Sequence, residues 1–240
     1  MNHKNKLKIL RKQLPISIKH GLELLNQTNG NIEEATQLFK DFTFKQLNSK
    51  MKLNSEIVQN LLFETNYNLE LAIEKAEKLQ FSPSEIILRK SISNREKIDF
   101  IVTQIEQENN LIRKYITHTK EELAQLSFHR KVIVTLYDWL NNHESDYEFN
   151  IGCGLMKTSC YYIEIIFKMP KLSNAVLNAD KLYDEIVIPW NSEMKLYYES
   201  KKQLKEDKQF KNNLKIFISK RVELYEKMIE FIKENISKFP

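Results

Sequence analysis

Hydrophobic residues recur three or four positions apart along most of this chain, which is the spacing of one face of an α-helix. The clearest runs are Ile18, Leu22 and Leu25; Ile32, Ala35, Leu38 and Phe39; Ile98, Val102, Ile105, Ile112 and Ile116; Leu123, Leu126, Ile133, Tyr137 and Leu140; and Ile218, Val222, Tyr225, Ile229, Ile232 and Ile236. Only four glycines and five prolines interrupt 240 residues. The pattern predicts a mainly α protein, and so few glycines disfavour a doubly wound α/β enzyme.

An internal repeat lies in the first 80 residues. The stretch 24–35 returns as 61–72, with Leu-Leu, Thr-Asn, Asn, Glu and Ala at the same offsets. The repeat predicts two units of three short helices in residues 1–80, followed by a helical domain in 81–240. Asn31 and Asn68 are placed to cap the third helix of each unit, and Asn54 or Ser55 the second helix of the later unit. Tyr67 replaces Gly30 at a left-handed turn, so we expect the two turns to differ.

The repeated residues carry a family resemblance. Leu10-Arg11, Leu24-Leu25 and Asn29-Gly30-Asn31-Ile32-Glu33-x-Ala35 resemble the N-terminal module of elongation factor Ts, a member of the UBA-like superfamily. The similarity covers residues 7–40 and, more weakly, 44–79. It implies tandem UBA-like three-helix modules that dock a protein partner.

The resemblance also implies which residues meet the partner. Leu14, Pro15 and Ile16, with Met51 and Leu53 at the matching place in the second copy, would form exposed docking loops. The alternative is that these apolar residues only complete two small cores, because modules of this size use most of their apolar residues internally.

One segment of the C-terminal domain departs from the helical spacing. Between residues 161 and 167, β-branched and aromatic residues alternate with other side chains, which predicts a strand. Its partner would be Glu148–Ile151, joined through a turn at Gly152-Cys153-Gly154. The predicted architecture is therefore a helical bundle with a small β-hairpin near 146–169. Asn109, at a seam position of the heptad-like run, is predicted either to fix helix pairing or to face solvent.

Charge is distributed unevenly along the chain. Lys and Arg number 37 against 32 Asp and Glu, and the first 20 residues hold six basic residues and no acid. The N-terminal basic patch comprises Lys4, Lys6, Lys8, Arg11 and Lys12. A patch of this kind attracts phosphates or an acidic protein surface, although solvated basic residues at a helix start are equally ordinary.

A second basic stretch supports an alternative function, that of a nucleic-acid- or ribosome-associated protein. Its aromatic and basic members are Tyr197, Tyr198, Lys201, Lys202, Lys205, Lys208, Phe210 and Lys211. Aromatic rings next to cations can stack on bases and neutralise phosphates. The acids Glu199, Glu206 and Asp207 interrupt the stretch, as they would on an ordinary mixed-charge helix face.

The third alternative is an enzyme or metal site in the region Gly152–Cys160. Cys153 and Cys160 lie seven apart, with His143 and His129 upstream. This spacing is not one of the tight zinc-ligand spacings, and no nucleophile elbow, Walker loop or dinucleotide fingerprint is present. We therefore expect no cofactor and no metal, and we interpret the two cysteines as small core residues.

Taken together, these features favour a non-catalytic adaptor that docks a protein partner. Two cysteines and the absence of a long apolar run or secretory signal predict a cytoplasmic protein without a membrane span. Nucleic acid is an alternative partner, and the C-terminal helices are predicted to allow self-association.

Overall fold

The computed structural model describes residues 3–112, 117–146 and 155–240 of the chain. These residues are mainly helical, as the apolar spacing predicts, and they contain no strand. They divide into two compact units, Met1–Ser82 and Pro83–Pro240, which we call the first unit and the second unit. No helix in the described part of the chain combines the length and the apolar character needed to cross a membrane.

The described residues of the first unit form five helices. They are α1 (His3–Gln13), α2 (Ile18–Gln27), α3 (Ile32–Lys50), α4 (Ser55–Glu64) and α5 (Leu69–Gln80). The N-terminal part of α3 packs with α1 and α2, whereas its C-terminal part packs with α4 and α5. One continuous helix of 19 residues therefore serves both halves, where the repeat predicts two separate short helices.

The two halves repeat the same local hydrogen bonds. Ser17 caps α2, and Asn54, its counterpart, caps α4. In the first half the Thr28 hydroxyl donates to the carbonyl of Leu24 at 2.9 Å, and Thr65 makes the matching bond in the second half at 2.8 Å. Asn31 and Asn68 cap the helices that follow, as the sequence predicts. A three-helix arrangement thus occurs twice, with a shared central helix.

The prediction that the two turns differ is wrong. Tyr67 has a φ of 58° and Gly30 a φ of 79°, so both residues adopt the left-handed conformation. The backbone N–H of Tyr67 donates to Leu62 at 2.7 Å, just as that of Gly30 donates to Leu25 at 2.6 Å. The Tyr67 ring packs against the cores of both halves, and this contact offsets the cost of a left-handed tyrosine.

The second unit contains the remaining helices of the described residues. They are α6 (Pro83–Arg89), α7 (Asn94–Asn109), α8 (Lys120–Ala124), α9 (Phe128–Asp146), α10 (Met156–Tyr161), a π-helical turn (Tyr162–Ile166), α11 (Pro170–Ile186), a 3₁₀ turn (Ile188–Trp190), α12 (Met194–Glu206), α13 (Lys208–Glu234) and a final 3₁₀ turn (Ile236–Lys238). They enclose one hydrophobic core. Helix α9 lies at its centre, since all nine residues from 132 to 140 are buried.

The predicted strand at 161–167 is also wrong. The chain there continues from α10 into the π-helical turn, which buries the neighbouring residues Tyr162 and Ile163 and leaves Tyr161 and Ile165 exposed. Burial therefore follows a helical rather than a two-residue period. Packing against α11 overrides the β propensity of this segment. The predicted partner strand Glu148–Ile151 and its turn at 152–154 lie outside the described residues.

The prediction that the heptad-like runs form buried seams is only partly correct. Ile98, Val102 and Ile105 are buried in α7, but the helix ends at Asn109, whose side chain donates to the carbonyl of Ile105. Asn109 therefore hydrogen-bonds within its own helix. Ile112 is exposed, and Ile116 lies outside the described residues. In α13 the predicted seam residues Ile218 and Val222 are also exposed. Self-association through this face stays a prediction.

Candidate functional site: a basic groove on the first unit

The residues predicted to form exposed docking loops are largely in the cores. Leu14 and Ile16 belong to the core of the first half, and Met51 to that of the second. Leu53 is half-buried against the second core, and only Pro15 is exposed. The expectation of an exposed docking surface at this position is therefore wrong, because two small cores need these side chains to close them.

An accessible surface of another kind lies between α1 and α2. It is a groove of about 750 Å³, which we call the basic groove, and its lining residues are Lys4, Leu7, Lys8, Arg11, Lys12, Ile18 and Leu22. Leu7, Ile18 and Leu22 provide the apolar surface, and Ile18 is 56% exposed. Four of the five residues of the predicted basic patch line this groove, and Lys6 lies outside it.

The close approach of α1 and α2 explains how the groove forms. Gly21 is buried where the two helices meet, and a Cβ atom at this position would lie 2.5 Å from Cδ1 of Leu7. In the last turn of α1, Nε of Arg11 donates to the carbonyl of Ile16 at 3.2 Å and so orients the guanidinium beside the loop. The spacing of the helices and the placement of at least one cation are thus determined by the local fold.

The electrostatic character of the basic groove is one-sided. Its charged lining residues are all basic, and no carboxylate lines it among the described residues. Arg11 and Lys12 lie in the last turn of α1, where the carbonyl end of the helix favours positive charge. The groove therefore combines a positive potential with an exposed apolar surface.

The second half provides an internal control for this surface. At the period of 37, the lining residues correspond in order to Asp41, Phe44, Lys45, Asn48, Ser49, Ser55 and Gln59. Only one of these seven is basic, and polar residues replace Ile18 and Leu22. Similar backbones thus carry different surfaces, so the fold alone does not require a basic, apolar groove.

The second basic stretch does not form the continuous aromatic and basic surface that the nucleic-acid interpretation needs. Phe210 is buried in the core of the second unit. Nζ of Lys201 lies 4.9 Å from the centre of the Tyr197 ring, and Lys211 forms an ion pair with Glu206 at 2.7 Å. Several of the predicted contacts for nucleic acid are therefore made within the chain.

The cysteine region shows no reactive thiol among the residues that the structure describes. Cys160 is buried, and burial together with the nearby Asp180 carboxylate raises the pKa of its thiol to about 12. His129 stacks on Phe231, with ring centres 5.6 Å apart. The described residues include no group of three or more His, Cys, Asp or Glu side chains that could hold a metal ion. Cys153 lies outside the described residues, and so does the side chain of His143.

The second unit also contains a buried polar cluster that the sequence analysis missed. One carboxylate oxygen of Asp138 accepts from the backbone N–H of His118 and lies 2.8 Å from its ring Nδ1. The other ring nitrogen, Nε2, lies 3.3 Å from Oε1 of Glu106. The side chains of His118 and Asp138 are inaccessible to solvent, so this cluster joins α7, α9 and the segment before α8 rather than facing a substrate.

A signal for this cluster was available in the sequence. Asp138 stands within 132–140, where the other residues are apolar except for one threonine. A carboxylate in such a run implies a buried partner, because an isolated buried charge is costly. The sequence does not reveal which residue supplies that partner, since His118 is 20 positions away.

Comparison with known proteins connects the chain to a named family. The family model described as "YfbN C-terminal domain" matches residues 82–237. The chain is also 25% identical to the uncharacterized protein YfbN of Escherichia coli (strain K12) over 238 residues, which are 98% of this chain and 95% of that protein. No solved structure matches the chain.

These findings correct the family prediction. The predicted membership of the elongation factor Ts and UBA-like group is wrong. The family model that matches is that of the YfbN C-terminal domain, and the similarity to the E. coli protein YfbN extends over both units. The part that the sequence analysis left unassigned, residues 81–240, is the part with a named family. The short motif at the third-helix start misled the prediction, since capping and turn residues of this kind recur in unrelated helical pairs.

Proposed function

Since the chain belongs to the family of the YfbN C-terminal domain, we propose that the first unit, which precedes the family domain, docks a protein partner through the basic groove. The occupant is an acidic amphipathic helix. The observation that supports this proposal is the pairing of an exposed apolar surface with basic residues only. An acidic helix offers the complementary set, carboxylates on its flanks and leucine-like residues along one stripe.

The spacing of the basic residues suits such a partner. Lys4, Lys8 and Lys12 stand four residues apart on α1, and so they follow one side of the helix over about 12 Å. Carboxylates four residues apart on a partner helix repeat at the same interval. On α2, Ile18 and Leu22 are also four residues apart and can receive apolar side chains one turn apart on the partner.

Fluorescence anisotropy of the full chain tests this proposal. The probe is a labelled synthetic helix of about 18 residues, with leucine on one stripe and glutamate elsewhere. Two further probes are the same peptide with lysine in place of glutamate and a single-stranded oligonucleotide. We expect the acidic peptide to bind and the basic peptide not to bind.

Two matched pairs of variants locate the binding site. Lys8→Glu with Lys12→Glu should weaken binding of the acidic peptide at least about 10-fold, because two attractive contacts become repulsive. Lys45→Glu with Lys50→Glu changes the net charge equally at exposed positions outside the groove and should leave the Kd unchanged. Ile18→Asp should also weaken binding, whereas Phe63→Asp, at an exposed position elsewhere, should not.

The salt dependence separates this proposal from nucleic-acid binding. Binding of the acidic helix should weaken less steeply between about 0.05 and 0.2 M salt than binding of an oligonucleotide, because the apolar contacts to Ile18 and Leu22 are not screened by salt. If the oligonucleotide binds at the groove and the acidic peptide does not, the docking proposal fails and electrostatic binding of nucleic acid replaces it.

A further inference from the structure

A second groove, unlike the first, lies in the family domain between α11 and α13. Its distinctive feature is a set of primary amides, which are Asn174, Asn178, Gln209, Asn212 and Asn213. The groove has a volume of about 540 Å³, and we call it the amide groove. Lys171 is its one charged residue among those described, and no aromatic residue lines it.

Asn213 carries an unmet hydrogen-bonding group at this groove. It is only 5% exposed, and no described residue accepts from its side-chain Nδ2. A buried donor without an acceptor costs free energy, so buried polar groups without a partner are uncommon in folded proteins. The Nδ2 atom is buried in this structure, so the Asn213 side chain must turn toward the groove before a ligand carbonyl at its floor can supply the acceptor that the described residues lack.

We propose that the amide groove binds an extended, uncharged peptide segment and clamps its backbone. A side-chain amide has one carbonyl acceptor and an N–H donor, and a peptide unit offers the matching donor and acceptor. Asn174 and Asn178 are four residues apart on α11, a rise of about 6 Å, whereas an extended chain repeats every two residues in about 6.6 Å. Alternate peptide units of a bound segment therefore pair with successive amides.

The other lining residues agree with this choice of ligand. Pro170 and Ile216 give the groove a small apolar surface that can accept one uncharged side chain. Among the described residues no carboxylate lines the groove to pair with a lysine or arginine of a ligand, and the cation of Lys171 is exposed, so solvent screens its attraction for an acidic one. The absence of an aromatic ring removes the usual stacking platform for a nucleobase.

Selection from a phage-displayed library of linear peptides against the full chain tests the proposal. Peptides of about seven residues suffice, since an extended segment of this length covers about 23 Å. We expect wild type to enrich sequences without charged residues. Their Kd should rise at least about 10-fold for Asn174→Ala with Asn178→Ala, because two hydrogen bonds are lost. Both positions are exposed and helical, so alanine should not harm folding.

Controls make the result decisive. Asn26→Ala with Asn48→Ala changes two exposed helical asparagines of the first unit and should bind like wild type. Asn213→Leu should weaken binding while raising the Tm by about 2–4 °C, because an apolar side chain replaces the unmet donor. A lower Tm for Asn213→Leu would overturn the role of Asn213. The proposal fails if no peptide is enriched, if the Asn174 and Asn178 variant binds equally well, or if a glycan array run in parallel gives the only ligands.

Discussion

The two units of this protein place their polar chemistry in opposite positions. In the first unit the buried polar side chains that the structure describes are the threonines Thr28, Thr43 and Thr65, whose hydroxyls bond to the backbone of their own helices, and cations stand at the surface around the basic groove. The second unit encloses polar groups within its single larger core, among them His118, Asp138 and Asn213. The same chain therefore has one unit whose ionisable side chains stand around an accessible groove and another that also buries an imidazole and a carboxyl group in its interior.

The difference follows from the size of each core. A buried charge needs a shell of residues that supplies hydrogen bonds and excludes water, and a half with three short helices is too small to provide one. Surface charges in the first unit should thus be replaceable without unfolding, and their loss should affect binding. Buried polar groups in the second unit should instead affect stability when they are replaced.

The largest expected effect comes from opening the buried cluster of the second unit. Asp138→Ala removes the carboxylate that binds both the backbone and the ring of His118 in the interior of the second unit. Breaking a buried pair in this way should lower the free energy of unfolding by about 3–5 kcal/mol. Urea denaturation followed by circular dichroism measures this loss.

The exposed Asp41 of the first unit provides the control for that measurement. Asp41→Ala should change the free energy of unfolding by less than about 0.5 kcal/mol. If Asp138→Ala and Asp41→Ala lowered the free energy of unfolding equally, the buried carboxyl of the second unit would matter no more for stability than an exposed one of the first.

A smaller effect is expected from overpacking the first unit. Gly21→Val introduces a Cβ atom 2.5 Å from Cδ1 of Leu7 and adds two methyl groups beyond it. Since α1 and α2 must separate to accept them, we expect the free energy of unfolding to fall by about 1–3 kcal/mol. Thermal denaturation tests this, with Glu23→Val at an exposed position of the same helix as control. A Gly21→Val protein as stable as wild type would contradict the close approach of the two helices.

Transplanting the basic groove sharpens the comparison between the halves of the first unit. The variant Asp41→Lys, Asn48→Arg, Ser49→Lys, Ser55→Ile and Gln59→Leu gives the second half the rim and apolar residues of the first. We expect isothermal titration with the acidic peptide to show two sites instead of one, with Kd values within about 10-fold of each other. If only one site appears, the surface residues alone do not create the groove.

The smallest effect concerns a partly buried acid of the second unit. The pKa of the Asp180 carboxyl is raised above 3.8, chiefly by burial and secondarily by the nearby Asp184 carboxylate. The carboxyl of Asp180 therefore holds its proton more tightly in the folded state than in the unfolded chain. The contribution of Asp180 to stability is therefore present below pH 3.8 and is lost as the pH rises through its folded pKa. Asp180→Asn should raise the Tm at pH 7, and this gain should disappear below pH 3.8.

Glu74 of the first unit gives the opposite case for the same experiment. A hydrogen bond from Lys78 lowers the pKa of this exposed carboxyl, so Glu74→Gln should not raise the Tm at pH 7. A gain of the same sign in both variants would contradict the assigned cause.

The helical class, the internal repeat and the capping residues could all be inferred from the sequence. Apolar spacing depends on the period of the helix itself, and the caps at Asn31 and Asn68 are bonds between residues two or three positions apart. Most basic residues of the groove could also be predicted from the sequence, since Lys4, Lys8 and Lys12 share one side of α1. Such features are local, so the order of residues is sufficient to predict them.

Features that depend on contacts between distant residues required the tertiary structure. Segment 161–167 has a strand-like composition but is helical, because packing against α11 outweighs the preference of its side chains. Whether Leu14 and Met51 face solvent or a core depends on how much apolar surface two small halves must close. The pairing of His118 with Asp138 and the meeting of α11 with α13 join residues far apart in sequence. The sequence by itself determined the mainly helical class, several helix caps and the charge along α1, whereas only the tertiary structure decided which side chains are buried together, because burial depends on the whole packed core.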